Sequence, residues 1–332
     1  NLPRAGSESG GLLRYAATVS TTLDRLGVDF AQLADTDLDA ELLGEVKLVV
    51  LPYNPRVPEK TIGLLKPFVK GGGKLLVCYT LDGGVGSLLG LRSTGTRLPA
   101  GSAFAGFHRS GEGMMGQPGF APQTSWRSHQ VAAREGTKVR VVATWRDGDG
   151  KDTGAPAITL APHGAFIGHV WFATGSDDSS ALMRALVGEL VPGSWQRAAE
   201  SAFAKVGTFA GDADFEALRK RLFASASDKA RSTLAVAAKA RHEAQRLMTT
   251  RDWSMSVKAS GSADDLALVA WCLSRRPRTP EHRAFWCHSA FGLKNKDWEE
   301  SIRVLKEGGF NAILPNMLWG GLTYYPSEVL PE

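Results

Sequence analysis

Apolar positions in the first third of the chain switch between helical and strand spacing. Between Gly11 and Val28, residues Leu12, Tyr15, Ala16, Val19, Leu23 and Leu26 recur three or four positions apart, which predicts a helix with one buried face. The stretch VDFAQLA (28–34) reads as a short strand, and TDLDAELLGE (36–45) as a short helix capped by Thr36 or Asp37. KLVVLPY (Lys47–Tyr53) is a continuous apolar run, which predicts a strand buried on both faces. A helix begins near Pro58 and stops at Gly71–Gly73, and KLLVCYT (Lys74–Thr80) is the next buried strand. Strands joined by helices of this length imply a parallel sheet with right-handed crossovers.

Beyond Leu91 the pattern changes. Lys138–Asp147, Ala155–Pro162 and Ala165–Gly175 read as strands separated by the turns GDGKDTG and HG, an antiparallel addition at one sheet edge. Gly101–Gln130 is rich in Gly, Pro and Ser without a period and predicts a long loop. Ser179–Leu190 is a helix. Trp195–Ser274 is helical throughout, with main segments at Phe215–Phe223, Lys229–Thr249 and Ala263–Cys272, and RRPRTPEH (275–282) then marks a boundary. The last fifty residues return to β-α-β. RAFWCHSAFG is a strand, and KDWEESIRVLKEGG is a helix capped by Asp297, with Glu300 reaching back and Gly308–Gly309 closing it. Trp298, Ile302 and Leu305 form its expected buried stripe, and FNAILPN is the second strand.

Composition narrows the class. The 332 residues are 43% hydrophobic and 22% charged, ordinary values for a globular chain large enough for two or three domains. No apolar run reaches the roughly 18 residues of a membrane-spanning helix. The net charge of +5 is mild. Its local concentrations, Arg219–Lys220–Arg221 and Arg275–Arg283, have no interleaved aromatic residues, so nucleic acid is not an expected partner. Cys78, Cys272 and Cys287 form no CxxC pair, and their apolar neighbours predict buried free thiols.

Several chemical signals fail on context. GEGMMG (Gly111–Gly116) matches a dinucleotide fingerprint in letters, but QPGFAP follows and no helix opens to receive a pyrophosphate. GGVGSLLG (Gly83–Gly90) follows a buried strand with the wrong spacing. There is no GxSxG, Walker loop or HExxH. His163 and His169 are joined by no carboxylate or thiolate cluster. No cofactor and no metal are expected.

LVVLPYNPRVP…LLKPFVKGGGKLLVCYTLDGG (residues 48–84) resembles the class I glutamine amidotransferase-like, flavodoxin-like fold, in particular the non-catalytic version that serves as a trimerisation domain in some β-galactosidases. Members with glutaminase activity place a nucleophilic Cys at the tight turn after this strand, where backbone amides lower its pKa and hold the oxyanion. Here the turn reads Thr80–Leu81–Asp82–Gly83, and Cys78 lies two residues earlier, inside the strand. The resemblance therefore implies packing, ligand binding or homo-oligomer formation rather than glutaminase chemistry.

RAFWCHSAFGLKNKDWEESIRVLKEGGFNAILPNMLWGGLTYYPSEVLP resembles the opening of the glycosyl hydrolase-like family 10 barrel, a bacterial (β/α)8 family. The resemblance implies a carbohydrate partner, hydrolysis of glycosidic bonds by the full-length protein, and a periplasmic or secreted location. In such barrels the site lies at the carboxyl ends of the strands. The substrate-binding candidates are His288 after the first strand, Asn316 after the second, and Trp319, Tyr324 and Tyr325 in the following loop, because aromatic faces stack on sugars while Asn and His reach their hydroxyls. Trp286 and Tyr325 could instead pack in a core, and Arg283 could be an ion-pair partner at the barrel bottom. Hydrolysis needs two carboxylates about 5–10 Å apart. Asp297, Glu299 and Glu300 are on the outer helix and Glu328 has no evident partner, so no catalytic residue is named.

The expectation is an α/β chain in three parts. Residues 1–193 form an amidotransferase-like, flavodoxin-like domain, 194–276 a helical connector, and 277–332 the first β-α-β of a truncated (β/α)8 barrel. Two strands cannot close a barrel, and a doubly wound sheet usually opens on a strand, so both ends read as cut, with NLPRAGSESGG as the loop after a lost first strand. The chain is expected to lack glycosidase activity by itself. The alternative is a non-catalytic carbohydrate-binding or oligomerisation module.

Overall fold

The computed structural model describes residues 9–101, 103–172, 176–223, 227–275 and 281–331. The chain divides into two compact units, Asn1–Ala270 and Trp271–Glu332. The first unit opens with α1 (Ser9–Arg25), α2 (Ala40–Glu45), β1 (Leu48–Leu51), α3 (Glu59–Lys70), β2 (Lys74–Cys78) and α4 (Gly83–Leu89). It continues with β3 (Leu91–Arg97), β4 (Phe104–Arg109), β5 (Phe120–Ser125), β6 (Ser128–Ala133), β7 (Arg140–Asp147), β8 (Asp152–Ala161) and β9 (Gly164–Ile167). Helices follow: α5 (Asp177–Leu190), α6 (Ser194–Lys205), α7 (Phe215–Phe223), α8 (Asp228–Thr249) and α9 (Trp253–Ser274). The division between the units falls in the last turn of α9.

Seven strands form one mixed sheet in the order β1-β2-β9-β8-β7-β4-β5. β1, β2 and β9 run parallel, and every pair from β9 to β5 is antiparallel. The alternation of β2 explains why both faces are covered. Leu76 and Cys78 enter a core shared with Val19 and Leu23 of α1 and Leu182 and Leu186 of α5. Leu75 and Val77 enter the opposite core, with Leu65 of α3 and Leu89 of α4. Gly164 opens β9 because a Cβ there would lie 1.9 Å from the Leu75 carbonyl oxygen, so only glycine lets the two strands pair at this register.

The second unit contains β10 (Ala284–Cys287), α10 (Trp298–Glu307), β11 (Ala312–Pro315) and a hairpin of β12 (Leu318–Trp319) and β13 (Leu322–Thr323). β10 and β11 pair in parallel, with Trp286 opposite Leu314. The Asp297 carboxylate caps α10, accepting from the Glu300 N–H at 2.8 Å.

Several expectations are corrected. Residues 28–34 form no strand and run irregularly between the first two helices. The cap of α2 is Asp39 rather than Thr36 or Asp37, with its carboxylate accepting from Leu42 N–H at 2.9 Å. β1 is an edge strand in which Leu48, Val49 and Val50 are only half-buried. The stretch read as a loop over Gly101–Gln130 holds β4, β5 and the start of β6. β4 pairs with β7 and β6 with β3, both distant in sequence, and among the described residues β5 is held only by β4, so local composition hid them. Cys272 is exposed, whereas Cys78 and Cys287 are buried. Ile302 is exposed, and Ser301 takes its place beside Leu305 on the buried side of α10. The proposed opening loop lies largely in residues 1–8, most of the proline-rich boundary in 276–280, and the end of the expected strand Ala165–Gly175 in 173–175. All three stretches are outside the described residues.

Candidate functional site

Two strand edges gather residues capable of recognition, one in each unit. In the first unit the carboxyl ends of the parallel strands β1, β2 and β9 carry Tyr53, Tyr79 and His169. Tyr79 follows β2 directly and adopts a left-handed backbone, φ 69°, a conformation that costs a bulky residue about 1–3 kcal/mol. Its N–H donates to Ile167 C=O at 2.8 Å, which prolongs the ladder to β9 by one rung. The tight turn therefore starts at Tyr79, one residue after Cys78, and not at Thr80.

The Tyr79 ring sits within a closed circuit of aromatic contacts. Ring centroids are 5.8 Å apart for Tyr15–Tyr53, 5.3 Å for Tyr53–Tyr79, 5.0 Å for Tyr79–His169, 5.6 Å for His169–Phe172 and 5.8 Å for Phe172–Tyr15. His129 meets Tyr79 edge-on at 4.5 Å, and Trp126 meets His169 at 4.4 Å. Such geometries stabilise by about 0.5–1.5 kcal/mol per pair beyond area burial, enough to hold Tyr79 in its strained turn.

His169 is fully buried, and burial pushes its pKa down to about 4. The Val170 carbonyl opposes the shift and the charge of His129 adds to it. His129 is lowered as well, first by burial and then by Arg127. Both imidazoles are therefore neutral at pH 7. His169 Nε2, Asn54 Oδ1 and Thr80 Oγ1 are buried without a hydrogen-bond partner among the described residues. Three polar atoms and a ring of aromatic faces thus converge on the edge of a parallel sheet where ligands commonly bind. There is no nucleophile among them. Cys78 is wholly buried and its thiol is pushed up to about 12 by desolvation, so it stays protonated. His163 and His169 lie beyond opposite ends of β9 and do not meet. No group of three metal-ligating side chains occurs among the described residues.

The second edge contains the residues singled out from the sequence. His288 follows β10, exposed, with its ring 6.3 Å from that of Trp286. Asn316 follows β11 and its N–H donates to Cys287 C=O at 2.8 Å, which brings the two strand ends to one edge. Trp319 belongs to the β12–β13 hairpin, whose turn residues Gly320 and Gly321 have φ of 62° and 86°, as a type I′ turn demands. Tyr324 N–H donates to Met317 C=O at 3.0 Å, and its ring lies edge-on to Phe291 at 5.2 Å. Tyr325 and Trp319 make no ring contact among the described residues. Trp286 is 64% exposed and Trp319 62%, and Tyr325 is exposed too, so none of the three is core packing. Arg283 pairs with Glu281 at 2.9 Å before β10 begins. Among the carboxylates, Asp297 caps α10, Glu300 pairs with Lys296 at 2.5 Å, and Glu299 and Glu328 are exposed.

Sequence reasoning missed the aromatic circuit of the first unit. His169 carried the one visible signal, a histidine inside an apolar strand run. His129 was hidden in the segment read as loop, and no local pattern foretells that Tyr79 turns left-handed.

Fold and edges together define a mixed α/β protein with aromatic-lined strand ends. No protein-family model matches the chain, and no curated protein sequence matches it. Among solved structures, a β-galactosidase from Rahnella sp. R3 is similar over 53% of this chain and 26% of its own, with 19% identity and a TM-score of 0.42. An α-L-fucosidase isoenzyme 2 from Paenibacillus thiaminolyticus is similar over 52% of this chain and 29% of its own, with 16% identity and a TM-score of 0.39. A ThuA-like protein from Bacteroides uniformis ATCC 8492 is similar over 54% of this chain and 86% of its own, with 12% identity and a TM-score of 0.43. The chain thus spans under a third of the length of the two glycosidases, and similarity at this level assigns no activity to it.

Proposed function

We propose that this chain is part of a carbohydrate-active, glycoside hydrolase-like protein, in which Trp271–Glu332 supplies a sugar-binding edge. The observation that carries the reading is the carboxyl edge of β10–β11. Two parallel strands there present His288 and Asn316, and the hairpin that follows exposes Trp319, with Tyr324 and Tyr325 beyond it. Exposed aromatic faces beside hydrogen-bonding side chains match the alternating apolar and hydroxyl surfaces of a pyranose. In this reading the unit is the opening β-α-β of a (β/α)8 barrel of the family 10 type, and the first unit is a flavodoxin-like, amidotransferase-like domain. Asp297 and Glu300 are committed to capping and ion pairing, and in this reading the chain binds sugar without cleaving it.

Affinity electrophoresis against a panel of plant and bacterial polysaccharides tests the proposal. The chain is retarded by at least one member, and Trp319→Ala weakens retardation about tenfold, which corresponds to about 1.4 kcal/mol. Asn316→Ala weakens it less. Unretarded migration on the whole panel sinks the proposal.

A second reading is favoured by Cys78. A thiol held near pKa 12 next to a tyrosine elbow fits an amidotransferase-like domain that serves binding or assembly. Ammonia release from glutamine at a rate above that of a Cys78→Ala variant would overturn that assignment.

A further inference from the structure

Three buried side-chain atoms at the carboxyl edge of β1, β2 and β9 have no hydrogen-bond partner among the described residues: His169 Nε2, Asn54 Oδ1 and Thr80 Oγ1. We propose that this edge is a ligand site of the first unit, and that it takes a neutral polyhydroxylated ring of monosaccharide size. The site stands apart from the sugar-binding edge proposed for Trp271–Glu332 and does not rest on that reading.

The unpaired atoms supply the first argument. A polar atom buried without a partner is costly, and such atoms are rare in native proteins. Here three of them belong to residues gathered around one ring. The Tyr79 ring meets those of His169 and Tyr53, Thr80 follows Tyr79 in the chain, and Asn54 follows Tyr53. Tyr79 itself is held in a left-handed backbone, φ 69°, and strain of this kind concentrates at ligand clamps.

The chemistry of the three atoms selects the ligand. His169 Nδ1 lies 3.3 Å from the Val170 carbonyl oxygen, a position that favours the proton on Nδ1 and leaves the lone pair on Nε2. Burial keeps this imidazole neutral at pH 7. Nε2 and Asn54 Oδ1 are therefore acceptors, and the Thr80 hydroxyl accepts or donates. A complementary ligand must bring at least two donors. An anion would face two lone pairs, and a cation would find no carboxylate in the aromatic circuit. Uncharged hydroxyl groups meet the requirement, because each donates as well as accepts.

The surroundings fit a small ring. A groove of about 1010 Å³ beside β1 is lined in part by Tyr53 and Asn54, so the edge borders open space of the size that small molecules occupy. Trp126 is 48% exposed and lies edge-on to the fully buried His169, with centroids 4.4 Å apart. Tyr53, Tyr79 and Phe172 are half-buried. Rings in this state offer faces to the C–H surface of a pyranose.

The test uses the full chain carrying Trp319→Ala, which disables the edge of the second unit. Saturation-transfer NMR titrations follow D-glucose, D-galactose and D-mannose up to about 50 mM, a range suited to millimolar affinity. At least one sugar binds, and Thr80→Val and Asn54→Ala, both at half-buried positions, each weaken it at least about fivefold in that background. Urea midpoints at pH 7 check that both variants fold. Absence of binding by all three sugars overturns the proposal. So does binding that both variants leave unchanged, which would put the sugar elsewhere on the chain. Saturation transfer to adenosine but to none of the sugars overturns the ligand class.

Discussion

The two groups with the largest displacements from ordinary titration sit near one strand edge, and each makes a separate prediction. An unfolded His169 takes up a proton near 6.5, but the folded one resists until about 4. Its contribution to stability is therefore complete above pH 6.5 and is lost as pH falls from 6.5 towards 4. At about 1.4 kcal/mol per unit, the loss is on the order of 3 kcal/mol. Urea denaturation across about pH 4–7 should show this slope, and His169→Phe should flatten it. Cys78 makes the complementary prediction. Because its thiol is buried and protonated, alkylation at pH 8 with detection by mass spectrometry should modify exposed Cys272 first and Cys78 only when denaturant unfolds the chain. Fast labelling of Cys78 in the folded protein would contradict the burial that sets both its pKa and its lack of nucleophilicity.

Elements in this chain depend on a few positions where the backbone has no room or no partner to spare. Gly164→Ala should cost roughly 1–3 kcal/mol by forcing β9 away from Leu75, seen as a lower urea midpoint with an unchanged slope. Asp297→Ala should cost about 1 kcal/mol by removing the acceptor for Glu300 N–H at the start of α10, and Asp297→Ser should restore most of it. α10 was legible from the sequence because its cap, its period and its closing glycines lie within fourteen residues. Its buried side was legible only in part: Leu305 is inside, but Ile302 faces out and Ser301 is buried, its hydroxyl accepting from Leu293 N–H at 2.9 Å. A hydroxyl wanted by a nearby backbone amide outranked a larger apolar side chain.

At the level of the whole molecule, the densest cationic cluster is partly neutralised by pairing. Within the Arg219–Lys220–Arg221 cluster, Arg219 pairs with Glu216 at 2.8 Å and Arg221 with Asp212, while Arg246 pairs with Glu243 at 2.6 Å. A mobility-shift assay at physiological salt should accordingly show no retardation of duplex DNA, because two of the three cations in the densest cluster are held by carboxylates and the net charge is only +5. Among the described residues no helix is long and apolar enough to cross a membrane. By itself the sequence determined most of the helices, since helical hydrogen bonds close within four residues, though not α4, whose GGVGSLLG reads as a turn. It determined the strand β2 as well, but an apolar run alone did not fix burial, because β1 has the same kind of run and is largely half-buried. It also determined that no cysteine stands at the turn after β2. Only the tertiary structure decided that the Gly- and Pro-rich stretch becomes β4 and β5, that segment 28–34 stays irregular, and that five rings close a circuit around Tyr79. Each of these depends on partners tens of residues away: a strand exists only where another backbone meets its donors and acceptors, and a ring contact only where separate elements bring two faces together.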